Sequence, residues 1–280
     1  MISMTLVVIG PVTQDLIITK DNKQSKTGGA VYFQSFVFEE FFKDYLIITN
    51  CSDASLRNDF PNPDKVKLIK KECTHYFINE YPNNDDFRLQ YSNFANIPIT
   101  ENDLSSILPK DIDAFIINPL NAYDFSKEVI NYLKSFDVPI FMSLQGFLRY
   151  PFKKIDEDYY SLSLRLTPEV TDLICDIEGL FLDESEAEIL FENFDFKDFN
   201  INEIVVTNGS KGSRVLADKE YKIPAVKCDD VVDSTGCGDT YVAAYISKKL
   251  ITNSILKSAN FASKIASDKL RFFGPFKSDK

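Results

Sequence analysis

The run Asp233, Ser234, Thr235, Gly236, Cys237, Gly238, Asp239 puts two glycines and a carboxylate directly ahead of an amphipathic helical stretch, 240–250. Glycine takes positive φ without steric penalty, so the amide NH groups of Gly236, Cys237 and Gly238 can converge on an anionic oxygen at a helix start. Asp239 then stands at the mouth of that anion hole. A carboxylate repels a static phosphate, but it suits a hydroxyl that must lose its proton while phosphate charge is stabilised nearby. Phosphoryl transfer to an alcohol is the chemistry this pattern fits. The same letters also make a glycine turn with Asp239 as an ordinary helix N-cap, and the motif alone leaves both readings open.

Other residues could serve the same reaction. Gly28 and Gly29 precede a helical run that starts at Ala30, and a turn without side chains lets a ligand approach the backbone, although a flexible strand-to-helix loop reads the same way. Asp15 follows the first apolar run and could offer a carboxylate to the hydroxyl donors of a polyol. Thr207, Gly209, Lys211 and Gly212 follow another apolar run and suit either a nucleotide's phosphates or a routine hairpin turn. Asp183 and Glu186 open a further helix. There they favour the helix dipole, or orient water on a magnesium ion.

Six short runs, 6–9, 45–49, 114–118, 139–143, 179–182 and 204–207, are apolar, mostly β-branched or aromatic, and bounded by turn residues, as strands buried on both faces are. Helical patterns at 30–42, 126–136, 185–192, 240–250 and 255–270 alternate with them. This predicts an α/β fold, a Rossmann-like doubly wound, mainly parallel sheet whose ligands collect at the carboxyl ends of the strands. Two stretches break the alternation. Residues 15–19 continue extended, and 74–94 alternate around Pro82, Asn83, Asn84, Asp85 and Asp86, the signature of a hairpin; a second hairpin pairs 213–217 with 221–226. One domain over 1–280, with a small β lid formed by about 11–20 and 74–94, is the economical organisation.

Composition bounds the partners. With 280 residues, 44% hydrophobic content, 24 Phe and 13 Tyr, the chain has ample material for a core. A net charge of −11 argues against nucleic acid and against an anionic membrane surface as partners. The first residues carry neither the basic flank nor the cleavage site of a signal peptide, and no run is long enough to span a membrane, so a cytoplasmic location is expected. Five cysteines without CxxC spacing fit reduced thiols and no structural zinc. His75 is the only histidine, set in a strand-like stretch as a packing residue.

Asp233 to Asp239 resembles the DTxGxGD signature of the ribokinase-like (PfkB) carbohydrate kinases. In the same order come Asp15, the glycine pair Gly28 and Gly29, a lid hairpin with Arg88, an NxxE-like Asp183 to Glu186, and the Thr207, Gly209, Gly212 loop. The resemblance implies a Rossmann-like domain with a β lid that transfers the γ-phosphate of ATP to a hydroxyl. It implies Asp239 as base, with Gly236, Cys237 and Gly238 as anion hole. Asp15, Gly28, Gly29 and Arg88 would face the acceptor, and Thr207, Gly209, Lys211 and Gly212 the nucleotide. Magnesium would be reached from Asp183 and Glu186 through water, and Asp233 and Thr235 lie in a loop that in many relatives holds a monovalent cation such as potassium. A homodimer formed through the lid is a further implication.

Departures from the family pattern bear on the acceptor. Where relatives place an asparagine after the glycine pair, this chain reads Ala30, Val31, Tyr32, Phe33, Gln34, so an aromatic reshapes the pocket. Asp183 replaces the NxxE asparagine. Ser143 to Arg149, reading SLQGFLR, resembles a QGFxR segment of the small archaeal and plant inositol-kinase-like branch, which makes Gln145 and Arg149 acceptor or phosphate contacts. A small sugar or cyclitol is the expected acceptor. A nucleoside, stacked on Tyr32 or Phe33, and a catalytically silent metabolite-binding relative are the competing readings.

Overall fold

The computed structural model describes residues 4–82 and 89–278. The N-terminal part runs β1 (Leu6–Ile9), β2 (Thr13–Thr19), β3 (Lys23–Gly28), α1 (Ala30–Phe41), β4 (Tyr45–Cys51), β5 (Val66–Lys70), β6 (His75–Tyr81), β7 (Leu89–Ser92), α2 (Glu101–Ser105) and β8 (Ala114–Ile117). There follow α3 (Lys127–Lys134), β9 (Ile140–Ser143), α4 (Gln145–Leu148), β10 (Arg149–Lys154), β11 (Tyr160–Leu164), α5 (Pro168–Ile174), β12 (Gly179–Asp183) and α6 (Glu184–Phe191). The chain ends with β13 (Glu203–Thr207), β14 (Ser213–Leu216), β15 (Glu220–Ile223), α7 (Cys237–Thr252) and α8 (Ile255–Lys269).

Nine strands form the main sheet in the order β15-β14-β13-β12-β9-β8-β1-β4-β5. All neighbours from β13 to β5 pair in parallel; β14 and β15 add an antiparallel hairpin at one edge. Alternate side chains of each strand serve opposite layers. Leu6 and Val8 pack with Phe38 of α1, Tyr245 of α7 and Ala262 of α8, whereas Val7 and Ile9 pack with Leu104 of α2, Leu133 of α3 and Leu190 of α6. Helices on both faces leave no polar side, which is why these strands read as unbroken apolar runs.

The six predicted core strands are present nearly as expected, and β5 adds a seventh parallel one. Its sequence, VKLIK, buries only Val66 and exposes both lysines, as an edge strand does, so it lacks the apolar run that marks the others.

A second sheet has the order β10-β11-β7-β6-β2-β3. This corrects the expected extent of 11–20 and 74–94, because 23–28, 149–154 and 160–164 also contribute strands. Those segments, KQSKTG, RYPFKK and YSLSL, contain no continuous run of apolar residues and give no apolar signal. The turn residues Asn83, Asn84, Asp85 and Asp86, and Arg88 with them, lie outside the described residues. His75 sits in β6 as expected, but it does more than pack. Its Nε2 lies 3.3 Å from Oδ1 of Asp124, both side chains are fully buried, and Asp124 also accepts the NH groups of Leu120 and Asn121. The pair ties the second sheet to the loop after β8.

Gln34 of α1 and Asn118, just after β8, exchange two hydrogen bonds through their buried amides, at 2.8 and 2.9 Å. Neither amide has water to fall back on, so removing one partner strands the other. Gln34→Ala and Asn118→Ala are each expected to cost about 1–3 kcal/mol. The double variant should cost less than the two singles together, which urea unfolding of all four proteins will measure; strict additivity would refute the coupling.

Candidate active site

Gly236 caps α7 with φ 72° and ψ 10°, and a Cβ there would lie 2.2 Å from Cδ1 of Phe33. Backbone conformation and the Phe33 ring both demand glycine. The helix therefore starts at Cys237, three residues before the predicted start, and Asp239 occupies its third position rather than the N-cap. The NH of Cys237 donates to the Ser234 carbonyl at 3.1 Å, which removes it from the expected anion hole in this form of the loop. The amides of Gly236 and Gly238 have no acceptor among the described residues, and the space above Gly238 is open. Two uncommitted amides at the positive end of a sixteen-residue helix make an anion-attracting corner.

Protein surrounds the Asp239 carboxyl while an edge of the residue stays open to the cleft. Desolvation pushes its pKa up to about 6, against the pull of the Arg149 guanidinium and with the help of the Asp15 charge. Glu186 is pushed up to about 7, again chiefly by burial, then by Asp183; the NH of Asp183 and Arg149 pull it back, and Asp239 adds repulsion. Residues far apart in sequence, Asp15, Arg149, Glu186 and Asp239, thus share one electrostatic neighbourhood. Arg149 is 8% exposed and holds its guanidinium 5.7 Å from the ring of Phe77, on the face of the second sheet that turns toward the first.

Beside this cluster lies a cavity of about 340 Å³. The expected residues Asp15 and Phe33 line it, and so do Asp233 and Thr235. Gly28 and Gly29 shape it without lining it. A Cβ on Gly28 would fall 2.4 Å from Oδ2 of Asp15, and Gly29, with φ 94°, caps α1. Thr13 donates its hydroxyl to Asp15 Oδ1 at 2.6 Å and fixes that carboxylate. Lys26, Thr27, Asp59 and Phe273 are among the other lining residues, and sequence reasoning did not find them. The Nζ of Lys26 sits 2.9 Å from the centre of the Phe273 ring, and burial lowers its pKa while the nearby Asp233 raises it. Gln145, on the short α4, is half-buried and not among the lining residues.

On the other side of Asp239, Thr207 pairs with Asp183 at the carboxyl ends of β13 and β12. The loop after it closes through Asn208 N to Gly212 O at 2.8 Å; Gly209 and Gly212 both take positive φ, and Lys211 is exposed. Arg214 pairs with Glu184 at 2.9 Å beside it, a cation that no motif announced. Asp183 and Glu186 form a reciprocal cap on α6, each carboxylate accepting the other's NH at 2.9 Å. Among the described residues no group of three or more histidine, cysteine, aspartate or glutamate side chains is placed to hold a metal ion. Two carboxylates already engaged in a cap fit an outer role toward magnesium, through water, and not a complete ligand set.

Asp233 and Thr235 are less available than the sequence implied. Asp233 Oδ1 accepts the NH of Thr235 and Oδ2 the NH of Gly274, both at 2.9 Å, and a fully buried Lys269 donates to its main-chain oxygen at 2.6 Å. A sequence signal for Lys269 existed: it continues the buried row Ala262, Ile265, Ala266 at helical spacing, where a solvated lysine does not belong.

Residues 160–274 match the family model described as pfkB family carbohydrate kinase. A 73-residue stretch is 38% identical to a nucleoside kinase of Methanocaldococcus jannaschii, and the match spans 24% of this chain and 24% of that protein. Among solved structures, a pyrophosphate-dependent kinase in the ribokinase family superimposes with a TM-score of 0.80 at 24% identity over 97% of each chain. Arabidopsis thaliana ribokinase complexed with ribose and ATP superimposes with 0.73 at 18% identity over 98% of this chain and 95% of that one. At such identities these structures establish the fold. No helix among the described residues is long and apolar enough to cross a membrane. The matched segment contains all of 233–239, and the fold of the ribokinase-family structures is shared over nearly the whole length of the chain.

Proposed function

We propose that the protein transfers a terminal phosphoryl group to a hydroxyl of a small sugar or cyclitol. The observation that carries this reading is the Asp239 carboxyl, raised to about 6 and set between two open helix-start amides and a cavity lined by Asp15. A general base works best with a pKa near the working pH, and a carboxylate at 3.8 would be a poor one. In the proposed reaction the acceptor hydroxyl donates to Asp239 and attacks phosphorus through its oxygen, the donor's bridging bond breaks, and the proton stays on Asp239. The amides of Gly236 and Gly238 stabilise the transferred phosphoryl oxygens, and Arg149 offsets the carboxylates around them. Asp15, Thr27 and Asp59 offer oxygen acceptors to a polyol, with the Phe33 ring as an apolar wall. Magnesium, when bound, neutralises donor phosphate charge; Asp183 and Glu186 are the residues that would orient its water.

ATP is the proposed donor, bound over Thr207, Gly209, Lys211 and Gly212. Pyrophosphate is the second reading. It is favoured by the likeness to a pyrophosphate-dependent kinase of the ribokinase family, and to a structure so described that is complexed with a pyrophosphate analog and myo-inositol. Incubating the protein with either donor and a panel of inositol, ribose, fructose and nucleosides, and reading product by phosphorus NMR, separates the donors and the acceptors. A nucleoside product would replace the sugar reading, in line with the M. jannaschii likeness and with Tyr32 and Phe33 stacking on a base. Ligand-induced thermal stabilisation without any product would favour a silent binder.

The second sheet is the proposed lid, closing over the acceptor with Asp15 and Phe77 on its inner face. Its outer face aligns Leu16, Ile78 and Tyr91 in register, with Tyr76 and Leu89 exposed beside them. A second copy of the chain is the proposed cover, and a monomeric sedimentation profile at micromolar concentration would refute it.

Asp239→Asn is expected to lose about 10²- to 10⁴-fold in turnover while still gaining thermal stability from the donor. For the wild type, kcat/KM should fall as pH drops through about 6, because the base is then protonated; a profile flat from pH 8 to pH 5 would sink the role. The stability consequence has the opposite sign. A carboxyl whose folded pKa is raised from 3.8 to about 6 penalises the folded state when ionised, and the penalty disappears as pH falls from 6 toward 4. Asp239→Asn should therefore melt above the wild type at pH 8 and level with it near pH 4, as calorimetry at the two pH values will report.

A further inference from the structure

Lys269, in the last turn of α8, is fully buried. Its Nζ lies 2.6 Å from the main-chain oxygen of Asp233 and 3.6 Å from Oδ2 of the same residue. A buried ammonium survives only where oxygens replace its water, and these are the oxygens at hand. The surrounding loop is closed around it. Thr235 N and Gly274 N take the two Asp233 carboxylate oxygens, Val232 N donates to the Leu270 carbonyl at 2.8 Å, and Phe272 N to the Lys269 carbonyl at 3.0 Å. A second ammonium, Lys26, lies close enough to feel both Asp233 and Lys269.

A monovalent cation at Asp233 and Thr235 does not fit this arrangement. Such an ion needs main-chain and carboxylate oxygens turned toward it. The Asp233 carbonyl already receives an ammonium at hydrogen-bond distance, and both carboxylate oxygens receive NH groups. An incoming potassium ion would also meet the charges of Lys269 and Lys26 at short range.

We propose that the Lys269 ammonium is a built-in counterpart of that cation: it carries the same single charge, holds the Asp233 to Gly236 turn from beneath, and makes the protein independent of potassium. The turn it holds leads directly into the two open amides and Asp239, so Lys269 is a positioning residue for the anion corner. The inference rests on the kinase reading only for its effect on turnover; the charge substitution itself is a statement about binding and stability.

The test compares wild type with Lys269→Met in potassium chloride and in tetramethylammonium chloride at equal ionic strength. Melting temperature is followed in both, and turnover with the donor and acceptor found by the screen above. For the wild type, both readouts should be the same in the two salts. Lys269→Met should melt lower and regain stability selectively in potassium, which enters the vacated oxygens. Its turnover should fall roughly tenfold or more without potassium and recover in part with it. A wild type that melts higher or turns over faster in potassium than in tetramethylammonium overturns the proposal, whether or not the variant folds, and so does a folded variant indifferent to potassium. If no acceptor is phosphorylated at all, the melting comparison still decides the cation question, while the kinase reading alone fails.

Discussion

One buried guanidinium governs the centre of this molecule. Arg149 is the cation that pulls on both Asp239 and Glu186, two carboxyls that burial has driven up to about 6 and about 7. Without it, Asp15, Glu186 and Asp239 would face one another in a poorly solvated cleft, where like charges cannot all ionise. With it, Asp239 is held near the pH at which a base is useful. The position of Arg149 follows from chain geometry: α4 is a single turn, so the residue after it enters β10 at the point where the two sheets meet. A Cβ on Gly146, in that same turn, would lie 2.1 Å from the Pro119 backbone. The close approach lets the segment carrying Arg149 lie against the loop after β8.

The other parts of the site are locked to this centre by contacts that admit no side chain. Phe33 lies against Gly236, so the helix that starts after the glycine pair and the helix that starts after the anion corner cannot move independently. Gly28 lies against the Asp15 carboxylate in the same way, and Thr13 holds that carboxylate from the other side. These are rigid placements on strand and helix ends. They explain how a cavity between two sheets can keep a carboxylate from β2 and one from α7 in electrostatic contact across more than two hundred residues of chain.

The sequence made the central sheet legible because its strands are buried on both faces, and a run such as 6–9 or 114–117 has no other reading at that length. The turn before Asp239 was legible because the positive φ at Gly236 is written in residue type. What escaped was assembled by tertiary placement. β3 and β10 are polar strands whose pairing partners come from other segments, and Lys26, Asp59 and Phe273 meet only when those segments meet. Cys237 was assigned to the anion hole by its position in the motif, whereas its NH is spent on Ser234. Gln34, which no motif singled out, exchanges hydrogen bonds with the Asn118 amide. In each case a side chain or NH that looked free in the sequence is satisfied by a partner that only the fold supplies.

The charge distribution follows from the same economy. In a chain of net charge −11, a few cations sit around this cavity where water is scarce. Lys269 is fully buried, Arg149 nearly so, and Lys26 half-buried against Phe273. Exposed lysines would be screened within about 10 Å at moderate salt, but a desolvated cation keeps its field at short range. Burying Lys269 and Arg149 costs desolvation free energy, offset for Lys269 by the Asp233 oxygens and for Arg149 by attraction to the Asp239 and Glu186 carboxylates. The ionic contacts that balance the carboxylates of this cleft are therefore the same contacts that fix its geometry, and neither property can be tuned without the other.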